Sequence, residues 1–151
     1  MICSGAGAFE SLRLEKGYRS LGSDIHTNTN PYESGLGFTV KLKKDVDFIG
    51  KEALSKIKEA PIQKKLACMV LEDPDGMALG TEPIYSDGKA VGYVTSTNYG
   101  YYVDKHIVYG YLPSELSSTG TKLELEYFGK RYPLTVTTEP LLDPENSRLK
   151  S

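Results

Sequence analysis

A chain of 151 residues suits one ordinary domain, or two small modules that share a core. An apolar fraction of 39% with 25% charged residues excludes a disordered chain. A formal charge of −2, with eighteen basic residues interleaved among twenty acidic ones, gives no electrostatic basis for a nucleic-acid partner. No apolar stretch approaches the roughly 20 residues that cross a bilayer, so no membrane partner is expected. The opening residues MICSGAGAFESL lack the basic start and continuous apolar centre of a secretory signal, and the expectation is an intracellular chain. Cys3 and Cys68 are too few for a disulfide scaffold, and Cys68 in the run LACMVL reads as a buried reduced thiol.

The spacing of Phe9 and Leu12 predicts a short helix over 8–16, with Gly17 as its C-terminal stop. Residues 22–37 are dense in Asn, Thr, Ser, Gly and Pro, which predicts an irregular loop. Phe38, Val40 and Leu42 alternate with Thr39 and Lys41, the pattern of a strand over 38–42. A second helix fits 51–58, with Gly50 as cap and Ile49 packing on Leu54 as a hydrophobic staple. Glu52 near its start and Lys56 and Lys58 near its end suit the helix dipole.

Beyond Pro61 the texture becomes that of short strands. Residues 66–71 are nearly all apolar, as a strand covered on both faces requires, and 83–85 and 90–95 flank the hairpin signal Asp87-Gly88. Further strands are predicted over 107–111, 122–127 and 132–136, the last two joined through Phe128-Gly129-Lys130. Strands at such intervals favour a small antiparallel barrel, because closure removes exposed edges. The fold class is therefore α+β, with a boundary near 59–64 that gives a first part, 1–62, and a barrel, 63–151. Two helices and a lone strand cannot close a core by themselves, so the first part reads as the tail of a larger domain.

Catalytic and metal signatures are thin. His26 and His106 lack the spacing of a metal motif, His26 in its polar loop is expected to be exposed, and His106 is expected at a surface or barrel rim. Gly5-Ala6-Gly7 follows no strand and lacks the third glycine of a dinucleotide fingerprint, which leaves no flavin or nicotinamide site here. Tyr99, Gly100, Tyr101 and Tyr102, expected in a loop between strands, can form a stacking wall for a flat ligand or can cap a barrel end. Glu15 and Arg19 have the spacing of a surface ion pair. Arg13 or Arg19 can alternatively hold a carboxylate by a bidentate contact.

The segments SLRLEKGYR, NPYESGLGF and DFIGKEAL, followed by DPDGMALGTEPIYSDGKAVGYVTS, YGYLPSEL and GKRYPLTVTTEPLLDPENSRLK, stand in an order that resembles the folate-binding aminomethyltransferase family, typified by the T-protein of the glycine cleavage system. The EKGYR and EPLLDPEN variants are most similar to the fused C-terminal domain of flavin-dependent dimethylglycine and sarcosine dehydrogenases. The resemblance implies the end of an aminomethyltransferase-like α+β domain followed by a small antiparallel β-barrel. It also implies a tetrahydrofolate cofactor, met here by Tyr99, Tyr101 and Arg13, and FAD only in an absent upstream part. The family's catalytic aspartate and folate-gripping glutamate fall in that upstream part, so no catalytic residue and no metal site is assigned here. The implied partners are a folate-type small molecule and the missing half of the domain, or a partner chain carrying it. The implied location is the cytoplasm, or the mitochondrial matrix in a eukaryote. One departure stands out: where the T-protein branch has a folate-binding arginine before SLRLE, this chain has Phe9. The other function class left open is a non-catalytic module that associates with the chain carrying the rest of the site.

Overall fold

The apolar run of the first strand, β1 (Lys64–Leu71), is buried on both of its faces. The computed structural model describes residues 3–150; the first two residues of the opening segment and Ser151 lie outside it. Ala67, Met69 and Leu71 point into one apolar cluster, while Leu66 and Cys68 belong to another on the opposite side. Strand periodicity sends alternate residues to opposite faces, so a strand between two cores must be apolar throughout.

Five more strands follow: β2 (Pro83–Ser86), β3 (Lys89–Gly100), β4 (Lys105–Pro113), β5 (Lys122–Tyr127) and β6 (Lys130–Thr137). They close in the order β1-β4-β3-β2-β5-β6, with β6 returning to β1 and all neighbours antiparallel. Asp87 and Gly88 turn β2 into β3 with φ of 49° and 76°, the mirror-image turn that strand twist favours. Met69, Ile84, Val94, Leu112, Leu125 and Leu134 fill the interior without solvent contact. Gly92 lies where the β3 and β4 backbones come closest: a Cβ there would stand 2.1 Å from the Tyr111 carbonyl oxygen.

The first helix, α1 (Ala6–Glu15), begins two residues earlier than its apolar spacing predicts and stops at Gly17, whose φ is 72°. Leu14 is fully buried and plugs α1 onto the outside of the barrel against Leu66, Cys68, Ile107, Tyr109 and Tyr111. Burying one leucine of this kind is worth about 1.5–3 kcal/mol. Helix α2 (Lys51–Glu59) forms as its charge pattern predicts, with Gly50 ahead of it at φ 90° and an exposed Lys56–Glu52 pair at 2.7 Å. Ile49 is fully exposed, so no staple onto Leu54 exists.

No strand forms over 38–42. Gly37–Thr39 is a single 3-10 turn and Phe38 is exposed. Local bonds such as Leu36 N–H to the Pro31 carbonyl and Val40 N–H to the Gly37 carbonyl satisfy this backbone instead. The physical reason is pairing: alternation makes a strand only beside a free edge, and the closed barrel offers none. After β6 the chain returns along α1, where Leu142 N–H donates to the Glu15 carbonyl at 3.0 Å. It ends in a short helix, α3 (Ser147–Lys150).

Candidate functional site

Three hydrogen bonds fix α1 to the end of β3 and the turn that follows it. Ser11 Oγ donates to the Tyr99 carbonyl at 2.6 Å, and Glu15 Oε1 accepts the backbone N–H groups of Tyr102 and Val103 at 2.7 and 3.3 Å. A Cβ on Gly100 would press within 2.9 Å of Glu15 Cγ and Val103 Cγ2, so only glycine lets the strand end this close to the helix. Glu15 is buried, and its second oxygen, Oε2, has no hydrogen-bond partner among the described residues. Between helix and turn lies a cavity of about 610 Å³ with Ala8, Ser11, Leu12, Glu15, Tyr101 and Tyr102 in its wall.

Tyr101 lines this cavity, and Tyr99 meets it edge-to-face, ring centroids 5.2 Å apart at 70°. Tyr99 is the half-exposed member and Tyr101 the exposed one. The Tyr99 hydroxyl donates to the Asp104 carboxylate, which holds its pKa above the ordinary phenol value. The predicted loop at 98–102 is in fact strand as far as Gly100, with the turn only after it. The tyrosines are therefore placed by strand register, with Tyr99 opposite His106 on β4. Tyr102 also carries Arg148 of α3 over its ring at 4.8 Å, so the C-terminal tail borders the site.

Arg13 lies beneath the site and is buried with all its nitrogens engaged. Nε donates to Glu10 Oε2 at 2.7 Å, Nη1 to Asp24 Oδ2 at 3.0 Å and the Tyr18 carbonyl at 3.1 Å, and Nη2 to Ser96 Oγ at 2.9 Å. Asp24, also buried, accepts from Ser20 N–H at 2.9 Å and from Thr95 Oγ at 2.6 Å. Thr95 reaches it because β3 bulges between Val94 and Ser96, which re-aims its side chain. Arg19 makes no pair with Glu15. It reaches Glu139 across 2.5 Å and lies 5.4 Å from the centre of the Tyr109 ring. The i,i+4 spacing gave that ion pair on helical geometry, but the helix ends at Gly17 and the two side chains diverge.

Of the two histidines, only His106 stands beside this arrangement, opposite Tyr99 in the β3–β4 ladder. His26 is half-buried, not exposed, in an edge-to-face contact with Tyr111 whose ring centroids are 6.4 Å apart. His106 shares a hydrogen bond of 3.0 Å with Thr97 Oγ, and burial lowers its pKa. Among the described residues no group of three or more His, Cys, Asp or Glu is gathered in a way that could hold a metal ion. Cys68 is buried and its thiol pKa is pushed up to about 12 by desolvation, which makes it inert. No helix among the described residues is long and apolar enough to cross a membrane. Local sequence signalled the tyrosines through their clustering; it carried no sign of Ser11 and Glu15, whose partners lie 87 to 88 positions away.

An α1-flanked six-stranded barrel with this motif order defines the class. Residues 64–143 match the glycine cleavage T-protein C-terminal barrel domain, and residues 1–44 match the GCVT N-terminal domain. The chain belongs to the glycine cleavage T-protein family, in the C-terminal region that aminomethyltransferases share with dimethylglycine and sarcosine dehydrogenases. It is 42% identical over 148 residues to the mitochondrial dimethylglycine dehydrogenase of Mus musculus, covering 97% of this chain and 17% of that protein. With the mitochondrial sarcosine dehydrogenase of Homo sapiens it shares 36% identity, covering 99% of this chain and again 17% of the relative. The crystal structure of the glycine cleavage system aminomethyltransferase T from Bartonella henselae superposes with a TM-score of 0.81 at 27% identity, over 91% of this chain and 38% of that one. The chain thus spans about a sixth of the length of the dehydrogenases it matches and over a third of the aminomethyltransferase.

Proposed function

We propose that this chain is the C-terminal portion of a folate-dependent one-carbon transfer domain. Residues 1–62 form the end of the folate-binding domain and 63–151 its barrel. The parent protein is an FAD-dependent dimethylglycine or sarcosine dehydrogenase, in the cytoplasm of a bacterium or the mitochondrial matrix of a eukaryote. What favours the dehydrogenase branch is the 42% identity across nearly the whole chain, together with Phe9 at the arginine position of the T-protein motif.

The single observation that carries the folate reading is the Tyr99–Tyr101 pair, held by strand register and the Ser11 and Glu15 contacts, with Tyr101 in the wall of a ligand-sized cavity. Bound tetrahydrofolate supplies the nitrogen that accepts the one-carbon unit; Tyr99 and Tyr101 offer ring surface that orients the flat cofactor and excludes water. Arg13 fits a different role from direct contact with a folate carboxylate. Its guanidinium is committed to Asp24, Glu10 and Ser96, so it positions α1 and β3 under the tyrosines. In this reading FAD belongs to the remainder of the parent.

Stacking supplies about 1 kcal/mol per aromatic pair, and a half-open site adds an ordering cost. The isolated chain therefore binds folate in the millimolar range, about −4 kcal/mol, and performs no one-carbon transfer. Isothermal titration with 5-formyltetrahydrofolate tests this. Millimolar binding abolished in a Tyr99→Ala/Tyr101→Ala variant supports the site, whereas binding indifferent to both substitutions places the ligand elsewhere. A second reading, a non-catalytic module that docks on a chain carrying the rest of the site, is favoured by the exposure of Phe9, Leu12, Leu21 and Phe38 on the first part. A monodisperse monomer with a sharp thermal transition would argue against a required partner.

A further inference from the structure

A second cavity, of about 550 Å³, opens at the far end of β3 and β4 from the tyrosine turn, where Tyr93 pairs with Tyr111. Its wall holds one acidic and one basic side chain, Glu33 and Lys64. Both are half-buried, and neither makes an ion pair with the other or with any other described residue. Opposite charges lining one confined space ordinarily close on each other, because their attraction grows as water is excluded. Here local contacts fix them separately. Glu33 Oε2 accepts the Asn30 N–H at 3.1 Å, Asn30 Oδ1 accepts the Glu33 N–H at 3.0 Å, and the Glu33 carbonyl accepts the Leu66 N–H of β1 at 2.8 Å. Lys64 Nζ donates to the Asn28 carbonyl at 3.2 Å and stands 5.4 Å from the centre of the Tyr111 ring. These contacts leave one carboxylate oxygen of Glu33 and further N–H groups of Lys64 able to bond a ligand.

The rest of the wall is aromatic and aliphatic, with Tyr93, Tyr111 and Pro113. Tyr93 exposes 42% of its surface, and its ring lies 6.4 Å from that of Tyr111, centroid to centroid. Both tyrosines are held in place. The Tyr111 hydroxyl donates to the Asp24 carbonyl at 2.8 Å and lies 3.0 Å from Ser34 Oγ, and the Tyr93 hydroxyl meets His26 Nε2 at 3.4 Å. Burial raises the Tyr111 pKa and the Glu33 carboxylate adds to the rise, so this phenol stays neutral. A preformed apolar wall with a few fixed polar groups is what a small-molecule site requires.

We propose that this cavity binds a small zwitterion of the amino-acid kind, its ammonium group taken by Glu33 and its carboxylate by Lys64, with an apolar substituent against Tyr93 and Pro113. A ligand with one charge satisfies only half of the cavity: an anion meets Glu33 as well as Lys64, and a cation meets Lys64 as well as Glu33. A molecule carrying both charges pairs each with its opposite through charge-assisted hydrogen bonds. The exposed Tyr93 ring favours the ammonium end further, since an aromatic face attracts a cation. None of these residues takes part in the folate reading, so the two sites stand or fall separately.

The 151-residue chain, labelled with 15N, is titrated with L-leucine, with L-leucinamide, which keeps only the ammonium, and with N-acetyl-L-leucine, which keeps only the carboxylate. L-leucine should move the amide signals of Lys64 and Tyr93 saturably and bind at least about tenfold more tightly than either control, because each control loses one charge-assisted bond. Lys64→Met should abolish the preference for L-leucine over L-leucinamide. Glu33→Gln, which keeps an oxygen for the Asn30 N–H, should abolish the preference over N-acetyl-L-leucine. If Glu33→Gln folds poorly, Lys64→Met decides alone, since its side chain gives up a single hydrogen bond to a loop carbonyl. Equal binding of the three compounds, no saturable shift at millimolar concentration, or a leucine preference unchanged in Lys64→Met would overturn the proposal. Shifts at Tyr99 and Tyr101 in place of Tyr93 would overturn it too, by putting the zwitterion on the folate wall.

Discussion

The Glu15 carboxylate accepts the backbone N–H of Tyr102 at 2.7 Å across 87 positions of sequence, joining the end of α1 to the tip of the β3–β4 hairpin. Through that contact the helix decides where the tyrosine turn sits. Its neighbour Ser11 holds the Tyr99 carbonyl from the same face of the helix, one turn earlier.

Glu15→Ala removes the acceptor of two backbone N–H groups and leaves a void under the turn. The expected cost is about 1–3 kcal/mol in urea unfolding, with amide exchange at Tyr102 and Val103 accelerated before that of the barrel core. Unchanged exchange at those two positions would show that the turn holds itself.

Arg13 and Asp24 form a buried pair whose side chains are 6% and 1% exposed. Removing one partner strands the other charge, so Arg13→Ala should destabilise the chain by about 3–5 kcal/mol. Thermal unfolding reads this directly. A loss below about 1 kcal/mol, in the range of an exposed pair, would mean that the pair is solvated in solution and Arg13 is available to a ligand.

How far these features were readable from sequence depends on the range of the contacts that make them. The strand over 122–127 was predicted to the residue, because its alternation faces one core and its partners, β2 and β6, stand on either side. Residues 38–42 alternate equally well and make no strand, since alternation says nothing about whether an edge is free. The tyrosine cluster was visible because it is contiguous. Arg13 was legible only as a cation, because Asp24 and Ser96, which commit it, lie 11 and 83 positions away. Glu15 read as half of a surface pair for the same reason: its burial is decided by β3 and β4, not by its helix.

Gly92→Ala tests the barrel's tightest crossing. A Cβ at 2.1 Å from the Tyr111 carbonyl oxygen cannot be absorbed by a side-chain rotation, since the obstacle is backbone. The two strands must part, at an expected cost of about 2–4 kcal/mol by chemical denaturation. Gly88→Ala, in open space but at φ 76°, should cost less, about 1 kcal/mol.

Asp143 anchors the C-terminal tail by accepting from Ser147 Oγ at 2.7 Å and Ser147 N–H at 2.8 Å, with Lys16 beside it. These hydrogen bonds lower its pKa from 3.8 to about 2. The folded state therefore binds the proton less tightly than the unfolded one, and the anchoring is present above pH 3.8 and lost as pH falls to 2. Amide signals of Ser147 and Arg148 should shift together in that window. Titration at the ordinary value of 3.8 would show the tail detached.

The most direct test of the folate wall is a chemical-shift map of the 151-residue chain during titration with 5-formyltetrahydrofolate. The ring protons of Tyr99 and Tyr101 should move first and saturate together with a millimolar midpoint, because the two rings are in edge-to-face contact and a ligand stacked on one shifts the other. Shifts confined to Tyr93 and Tyr111, paired at the far end of β3 and β4 from this turn, or no shift at any tyrosine, would contradict it.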